Sequence, residues 1–489
     1  MIGEHGLIAD ERPSVEAIAA AVRGRFTVGQ VTTEHADYVY YDTFDGLLRK
    51  AGRVLAWPAE EPFDQSVVDR DTKAVVGIRA LLPQARVQSV TDTVPLLDDL
   101  EKTVVRVEVA SPVVVLDGAQ KPLAPRLSVR GIRGYTEEMN AAFDLLAASL
   151  PGRRSERMLH DEAVAAAGGD PAGVSSKPSV TLAPGERADV AVARVLRALL
   201  AISGANLPGT LAGTDTEFLH DYRVSIRRSR AVLREFRKVF PVADWQHFRA
   251  ELKWLQGVTS ASRDLDVYVL GFEELRALVP AVLQGELDPL LRVLERRRHG
   301  ARVEMVRELQ SERARTLTIA WAGFLGGLEH RSLDDRPDAA RPITDVSARR
   351  IRKVHGRMVA MGEAIVSAED PPPEEYHELR KKGKELRYLL ELFGAGLHDS
   401  AVVKPLIRAL KGVQDVLGRH QDREVQIQML RQLSAEVASQ FGGAEALMAI
   451  GVLIEHLEQD AAAARQEFAA SFAEFGSAEQ RRLVRETFR

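Results

Sequence analysis

The sequence predicts an α+β domain followed by an all-α domain made of two copies of one helical unit. Three observations lead there. Residues 26–58 and 103–135 carry β-branched and aromatic residues in short runs at strand period. From about residue 187 to the C-terminus, Leu, Ala, Arg and Glu recur at helical spacing. Within that helical stretch, one pattern of histidine and basic residues occurs twice at the same offsets.

Taken in order, FTVGQV and YVYYDT read as strands and FDG as a turn. TVVRVEVASPVVVLD (103–117) alternates like one or two strands, and PRLSVRGIRGY (125–135) like another. TEEMNAAFDLLAASL (136–150) reads as a helix with Thr136 as its N-cap. This α+β domain spans 1–150. A further helix is expected over 154–167. AGGDPAGVSSKPSVTLAPGE (167–186) has linker composition, so 151–186 reads as helix and linker. Residues 187–489 form the all-α domain, with turns at NLPGTLAGTD, ALVPAV and AEDPPPEE. Its first repeat covers about 187–330 and its second about 341–489.

Composition removes several classes of function. The chain has no cysteine, which excludes disulfides, thiol catalysis and cysteine-ligated zinc, and suits a reducing cytoplasm. No run of 18 apolar residues suggests a membrane span, and the N-terminus lacks the pattern of a secretory signal. The net charge of −4 is unevenly distributed. Residues 1–180 hold 20 basic and 26 acidic side chains, residues 181–489 hold 46 and 44. The helical part is not basic on average, so an anion site there requires local clustering.

The repeat supplies that clustering. His220 corresponds to His377, Arg223 to Arg380, Arg227 to Lys384 and Arg230 to Arg387. LKWLQGVTSASRDLDV (252–267) matches LKGVQDVLGRHQDREV (410–425), pairing Lys253 with Lys411, Gln256 with Gln414 and Asp264 with Asp422. Upstream, ARVLR (193–197) matches ARRIR (348–352). Offsets of 0, 3, 7 and 10 fall within about 80° on a helix, giving a stripe about 15 Å long. Tyr222, Ile226, Val232, Leu233 and Phe236 face the other way, as do Leu379, Leu386, Leu389, Leu390 and Phe393. Arg228, Arg234, Lys381 and Lys382 have no basic counterpart and read as flank or general surface.

An ordinary solvated helix face mixes charge signs. Two matched, wholly cationic stripes would repel unless an anion lies between them. Arginine favours phosphate oxygens, which its guanidinium fork binds in pairs, and the stripe suits a linear chain of phosphates. Nucleic acid is less well supported, because the stripes lack interleaved aromatics for base stacking. Two histidines amid arginines fit a phosphorelay poorly, and a metal-dependent phosphohydrolase would need further His and Asp ligands that the sequence does not supply. No metal or cofactor is expected. Asp264 and Asp422 fit helix caps or partners of a buried arginine. Gln256 and Gln414 fit either anion contacts or helix bridges.

HDYRVSIRRSR and HELRKKGKELRYLLELF, each followed by an LK-x-[LV]-Q segment and an aspartate, resemble the CHAD family, the conserved histidine α-helical domain. The resemblance covers about residues 185–489. It implies two four-helix bundles related by a pseudo-twofold axis, a basic groove between them, binding of inorganic polyphosphate, and association with polyphosphate granules. By position, the basic surface it implies comprises His220, Arg223, Arg227, Arg230, Lys253, His377, Arg380, Lys384, Arg387 and Lys411. Arg194, Arg197, Arg349 and Arg352 are added from the preceding helices. The second copy departs by Gly383 in mid-helix and by His420-Gln421 where the first has Ser262-Arg263.

YVYYDTFDGLLRKAGRVLAW (38–57) and PRLSVRGIRGYTEEMNAAFDLL resemble the CYTH family, the triphosphate tunnel fold. That resemblance implies metal-dependent triphosphate or polyphosphate hydrolysis. Its Glu-x-Glu-x-Lys strand has no counterpart in residues 1–30, where IGEHGL is nearest, so the expectation is a degenerate, inactive module. Lys102, Arg106, Glu108, Arg126 and Arg130 are the candidates for a residual anion site there.

Overall fold

The computed structural model describes residues 4–154 and 158–489. The first residues of IGEHGL and residues 155–157 of the helix expected over 154–167 lie outside them. The chain divides into two units, Met1–Ser175 and Ser176–Arg489.

The first unit is built on an antiparallel sheet. Its strands are β1 (Glu4–Ala9), β2 (Thr27–Val28), β3 (Thr32–Thr43), β4 (Leu55–Pro58), β5 (Leu81–Leu97), β6 (Thr103–Leu116), β7 (Ala119–Pro122), β8 (Arg126–Gly131) and β9 (Gly152–Arg154). The order is β4-β3-β5-β6-β8-β1-β9, with β2 on β5 and β7 on β6. Five helices accompany it: α1 (Val15–Val22), α2 (Leu47–Lys50), α3 (Arg70–Val76), α4 (Thr136–Ser149) and α5 (Leu159–Ala166). The central strand β5 has no counterpart in the sequence reading, because Pro83, Pro95 and several polar residues break its apolar alternation. Thr136 is the first residue of α4 and not its cap, a position taken by Tyr135. The unit also continues past residue 150. β9 pairs with β1, and α5 buries Ala163 and Val164 beside Val87 and Val114.

The YYDTFDG segment has a structural task. Both carboxylate oxygens of Asp42 accept backbone N–H bonds, from Thr43 at 2.7 Å, Leu48 at 2.9 Å and Arg49 at 3.0 Å. They satisfy the orphan donors that open α2. Gly46 turns there with φ 67°, a conformation that favours glycine.

The second unit is helical throughout. Its first repeat holds α6 (Ala188–Ala212), α7 (Thr216–Glu235), α8 (Val242–Val258), α9 (Ser260–Leu270), α10 (Phe272–Arg276), α11 (Ala281–Gln284), α12 (Asp288–Leu309) and α13 (Glu312–Gly327). The second holds α14 (Ile343–Ser367), α15 (Pro373–Phe393), α16 (Ser400–Ala438), α17 (Gly443–Phe475) and α18 (Ala478–Thr487). By length and composition α6 is apolar enough to span a bilayer; here Val192, Leu196 and Leu199 bury it in the helical core.

The apolar cores do not follow the repeats. One cluster draws Leu196 and Phe236 from the first repeat and Ile351, Phe393 and Phe468 from the second. A second cluster joins Phe272 and Leu290 to Leu430 and Leu453 at the far end of the α16–α17 hairpin. Neither cluster is confined to one repeat. The reason is length: α16 is one unbroken helix where the first repeat breaks at Thr259 between α8 and α9, so it reaches past its own repeat. The leading ends of the repeats meet reciprocally. The Ala188 N–H donates to Arg341 O at 2.9 Å, and the Ile343 N–H donates to Glu186 O at 2.8 Å. Between them Arg336, fully buried, donates to Val239 O and Leu328 O at 2.9 Å and pairs with buried Asp189.

Candidate functional site

Two helices, one capped and one opened by proline, carry the basic stripes. The Asp215 side chain accepts from Glu217 N and Phe218 N and starts α7. Pro373 at the first helical position starts α15. Their apolar faces meet beneath the stripes, where the Phe236 and Phe393 ring centroids lie 4.5 Å apart. Charged pairs lock the two helices together. Arg228 Nη2 lies 3.0 Å from Glu391, and Arg234 Nη2 lies 2.9 Å from Glu385. In the repeat, Arg228 corresponds to Glu385 and Arg234 to Glu391. Each arginine thus pairs with the glutamate that occupies the other arginine's matched position. This is a local twofold relation with the charges reversed in one copy. Arg228 is consequently not flanking surface and is 8 % exposed, whereas Lys382 pairs within α15, its Nζ 2.9 Å from Glu385.

Above this joint lies a cavity of about 220 Å³. Arg227, Arg230 and Arg234 of α7, Arg249 of α8, and Lys381 and Lys384 of α15 line it, against one acid, Glu385. Arg227 and Lys384 occupy matched positions, so the two stripes converge here. Burial, with Arg380, Arg227 and Arg387 nearby, holds the Lys384 ammonium down to about 8. Burial and the neighbouring Arg234, Arg249 and Arg227 also lower Arg230. Burial and the adjacent Glu235 carboxyl push Glu385 up to about 7. The arrangement is a cluster of mutually repelling cations on a partly apolar floor, suited to an anion with several charges.

The remaining expected residues divide. Arg230 donates to Gln256 Oε1, and Arg387 donates to Gln414 Oε1 at 3.4 Å, so both glutamines bridge helices. Gly383 eases this in the second copy: a Cβ there would stand 3.3 Å from Gln414 Nε2. Arg223 is buried and donates to Gln256 O, Thr259 Oγ1 and Ser260 Oγ at 3.1, 2.7 and 3.2 Å. It clamps the α8–α9 break and lies outside the cavity lining. Burial lowers its guanidinium to about 10. Its match Arg380 pairs with Asp422 at 3.1 Å. The histidines are engaged as well, His220 Nδ1 with Arg263 at 2.9 Å and His377 Nδ1 with Gln421. Lys253 shares a face of α8 with Arg249 and Gln256, four and three residues away, and is exposed, as is Lys411.

The basic residues expected on the preceding helices lie away from this cavity. Arg194 pairs with Glu186 and Arg349 with Asp338, while Arg197 and Arg352 are exposed; none of the four lines the cavity. Instead Arg350, Lys353 and Arg357 of α14 line a second cavity of about 710 Å³, together with Arg237 and Lys238. Their offsets of 0, 3 and 7 were available in the sequence, but matching the two repeats selected their neighbours.

In the first unit Arg130 lies 3.4 Å from Glu108 and Arg126 lies 2.9 Å from Glu162, while Lys102 and Arg106 are exposed at the start of β6. Among the described residues, no group of three or more His, Asp or Glu is placed to hold a metal ion.

Comparison with known proteins agrees with the helical geometry. The family profile of the CHAD domain matches residues 194–431. Two uncharacterized proteins of Mycobacterium tuberculosis, MT2285 and Rv2226, are each 28 % identical over 211 residues, 42 % of this chain and 38 % of theirs. The match therefore spans well under half the length of those relatives. The crystal structure of the CHAD domain from the plant Ricinus communis superposes with a TM-score of 0.51 at 22 % identity, covering 61 % of this chain and 95 % of that one. At that identity the likeness speaks for the fold. With a profile match, a similar fold and a doubled basic helix in agreement, the helical segment 194–431 is a CHAD domain.

Proposed function

We propose that the helical unit binds inorganic polyphosphate, with the cavity between α7 and α15 as the centre of the site. One observation carries this reading: matched Arg227 and Lys384 are pressed into one cavity with four further cations and a single acid. Such a cluster is unfavourable when empty and favourable around a chain of phosphates. The association of CHAD domains with polyphosphate supports the same ligand. The finer architecture, two pseudo-twofold bundles around a basic groove, is supported by the reciprocal pairs of α7 with α15 and of the leading ends of α6 and α14. Retention at polyphosphate granules in the cytoplasm would follow from this binding. The first unit is read as a degenerate CYTH-like module, on its antiparallel sheet and its self-paired charges.

The test is a titration with labelled polyphosphate of wild type and of Arg227→Ala/Lys384→Ala. These two side chains are better targets than Arg223, whose loss would also disturb the fold. The double variant should bind at least about tenfold more weakly, as expected for two lost charge-assisted contacts, with no loss of thermal stability. Equal binding by the variant, or tighter binding of RNA or DNA than of polyphosphate at the same salt, would refute the reading.

A further inference from the structure

The second cavity adjoins the central one, with Arg234, Arg249 and Glu385 lining both. The second cavity is built rather than incidental. Arg350, Lys353 and Arg357 share one face of α14, and the Trp245 ring lies under the guanidiniums of Arg237 and Arg249 at 4.8 and 5.2 Å. Its acids are occupied. Asp335 accepts from Val242 N at 2.9 Å, Glu385 is engaged by Arg234, and Glu235 is engaged by Arg234 and, at 3.6 Å, by Arg350 of α14 itself.

The twofold relation gives every position in this region a counterpart on the opposite side. The α6–α14 register is set by the reciprocal bonds of Ala188 and Ile343. It places Val195, Ala198 and Ile202 where α14 has Arg350, Lys353 and Arg357. In the same way Gly394, Ala395 and Ile407 stand where the first copy has Arg237, Lys238 and Arg249. None is basic. On that side Glu391 also caps the stripe, taking Arg387 at 2.6 Å and Arg228 at 3.0 Å. At matched positions the stripes are symmetric and the cations beyond them are not, although α16 on that side exposes Lys404, Arg408 and Lys411 within about one turn of Ile407.

We infer that the bound polyanion leaves the central cavity on one side only, along a cationic arm formed by α14, the end of α7 and α8. The inference rests on the polyphosphate reading and adds a direction and a length dependence to it. A short chain fills the centre and is closed off at Glu391. A longer chain gains contacts only along the arm, whose α14 face from Arg350 to Arg357 adds about 10 Å. The arm thus selects linear phosphate chains over compact anions of similar charge.

The experiment compares tripolyphosphate with long-chain polyphosphate on wild type, on Arg350→Ala/Lys353→Ala/Arg357→Ala, and on a control lacking three arginines of α12, Arg292→Ala/Arg296→Ala/Arg297→Ala. Wild type should bind the long chain more tightly. The α14 variant should lose about tenfold or more for the long chain and less than about twofold for tripolyphosphate, with a shallower salt dependence; the control should retain the length preference. Lys353→Glu alone, at an exposed position, should reproduce the direction of the effect should the triple variant be poorly folded. An α14 variant with unchanged long-chain affinity, or with equal losses for both ligands, overturns the arm while leaving the central site standing. Failure of wild type to bind either ligand overturns the central reading and the arm with it.

Discussion

At the scale of residues, matched positions have diverged in what they do. Arg223 heads the cationic series by sequence, yet its guanidinium is used on Gln256, Thr259 and Ser260 at a helix break. Arg227, one turn on, lines the cavity opposite its own counterpart. Lys384 and Glu385 make that cavity sensitive to pH. Lys384 sits at about 8 and Glu385 at about 7, so raising pH from 6 to 9 removes a positive charge and adds a negative one. Anion affinity should fall across that range, and binding near pH 8 should take up protons, because a bound anion favours charged Lys384. Calorimetry in two buffers of different ionisation enthalpy measures the uptake. Lys384→Arg, which stays charged, should flatten the fall above pH 8. A wild-type affinity independent of pH would contradict this picture.

Helix pairs are where reading the sequence by repeats both succeeded and fell short. Comparing the copies isolated the stripes, because matched cations are informative in a chain of balanced charge. The same comparison set aside Arg228 and Arg234 for having no basic match, when their matches are the very glutamates that the opposite arginines bind. It also preferred Arg349 and Arg352, which have arginine counterparts, to Arg350, Lys353 and Arg357, whose counterparts are apolar. Matching finds what two copies share and passes over what distinguishes them. Strand β5 escaped for another reason, its prolines and polar residues, and only its pairing with β3 and β6 identifies it. The joint itself can be tested. Glu391→Arg should destabilise the protein by about 3 kcal/mol, since it sets Arg228 and Arg387 against a third cation. Adding Arg228→Glu should restore much of the loss but not all, because Arg387 also leans on Glu391. Urea unfolding of the two singles and the double gives the coupling energy; additive effects would show that the pair does not lock the helices.

On the scale of the whole molecule, the two units hold separate apolar cores, and the division falls in a segment rich in Gly, Pro and Ser. Residues 176–489 produced alone should fold cooperatively and bind polyphosphate within about twofold of the full chain. A large loss of affinity would assign part of the site to the first unit. The reversed charges at the α7–α15 joint carry a consequence for the helical unit. Were a first repeat to meet a second copy of itself, Arg228 would face Arg234 and the joint would repel. A second repeat meeting itself would set Glu385 against Glu391. Neither half can recognise its own kind, and each is the other's fitting partner. The helical unit is in this sense a tethered heterodimer, its two halves paired reciprocally at this joint and opposite in charge there.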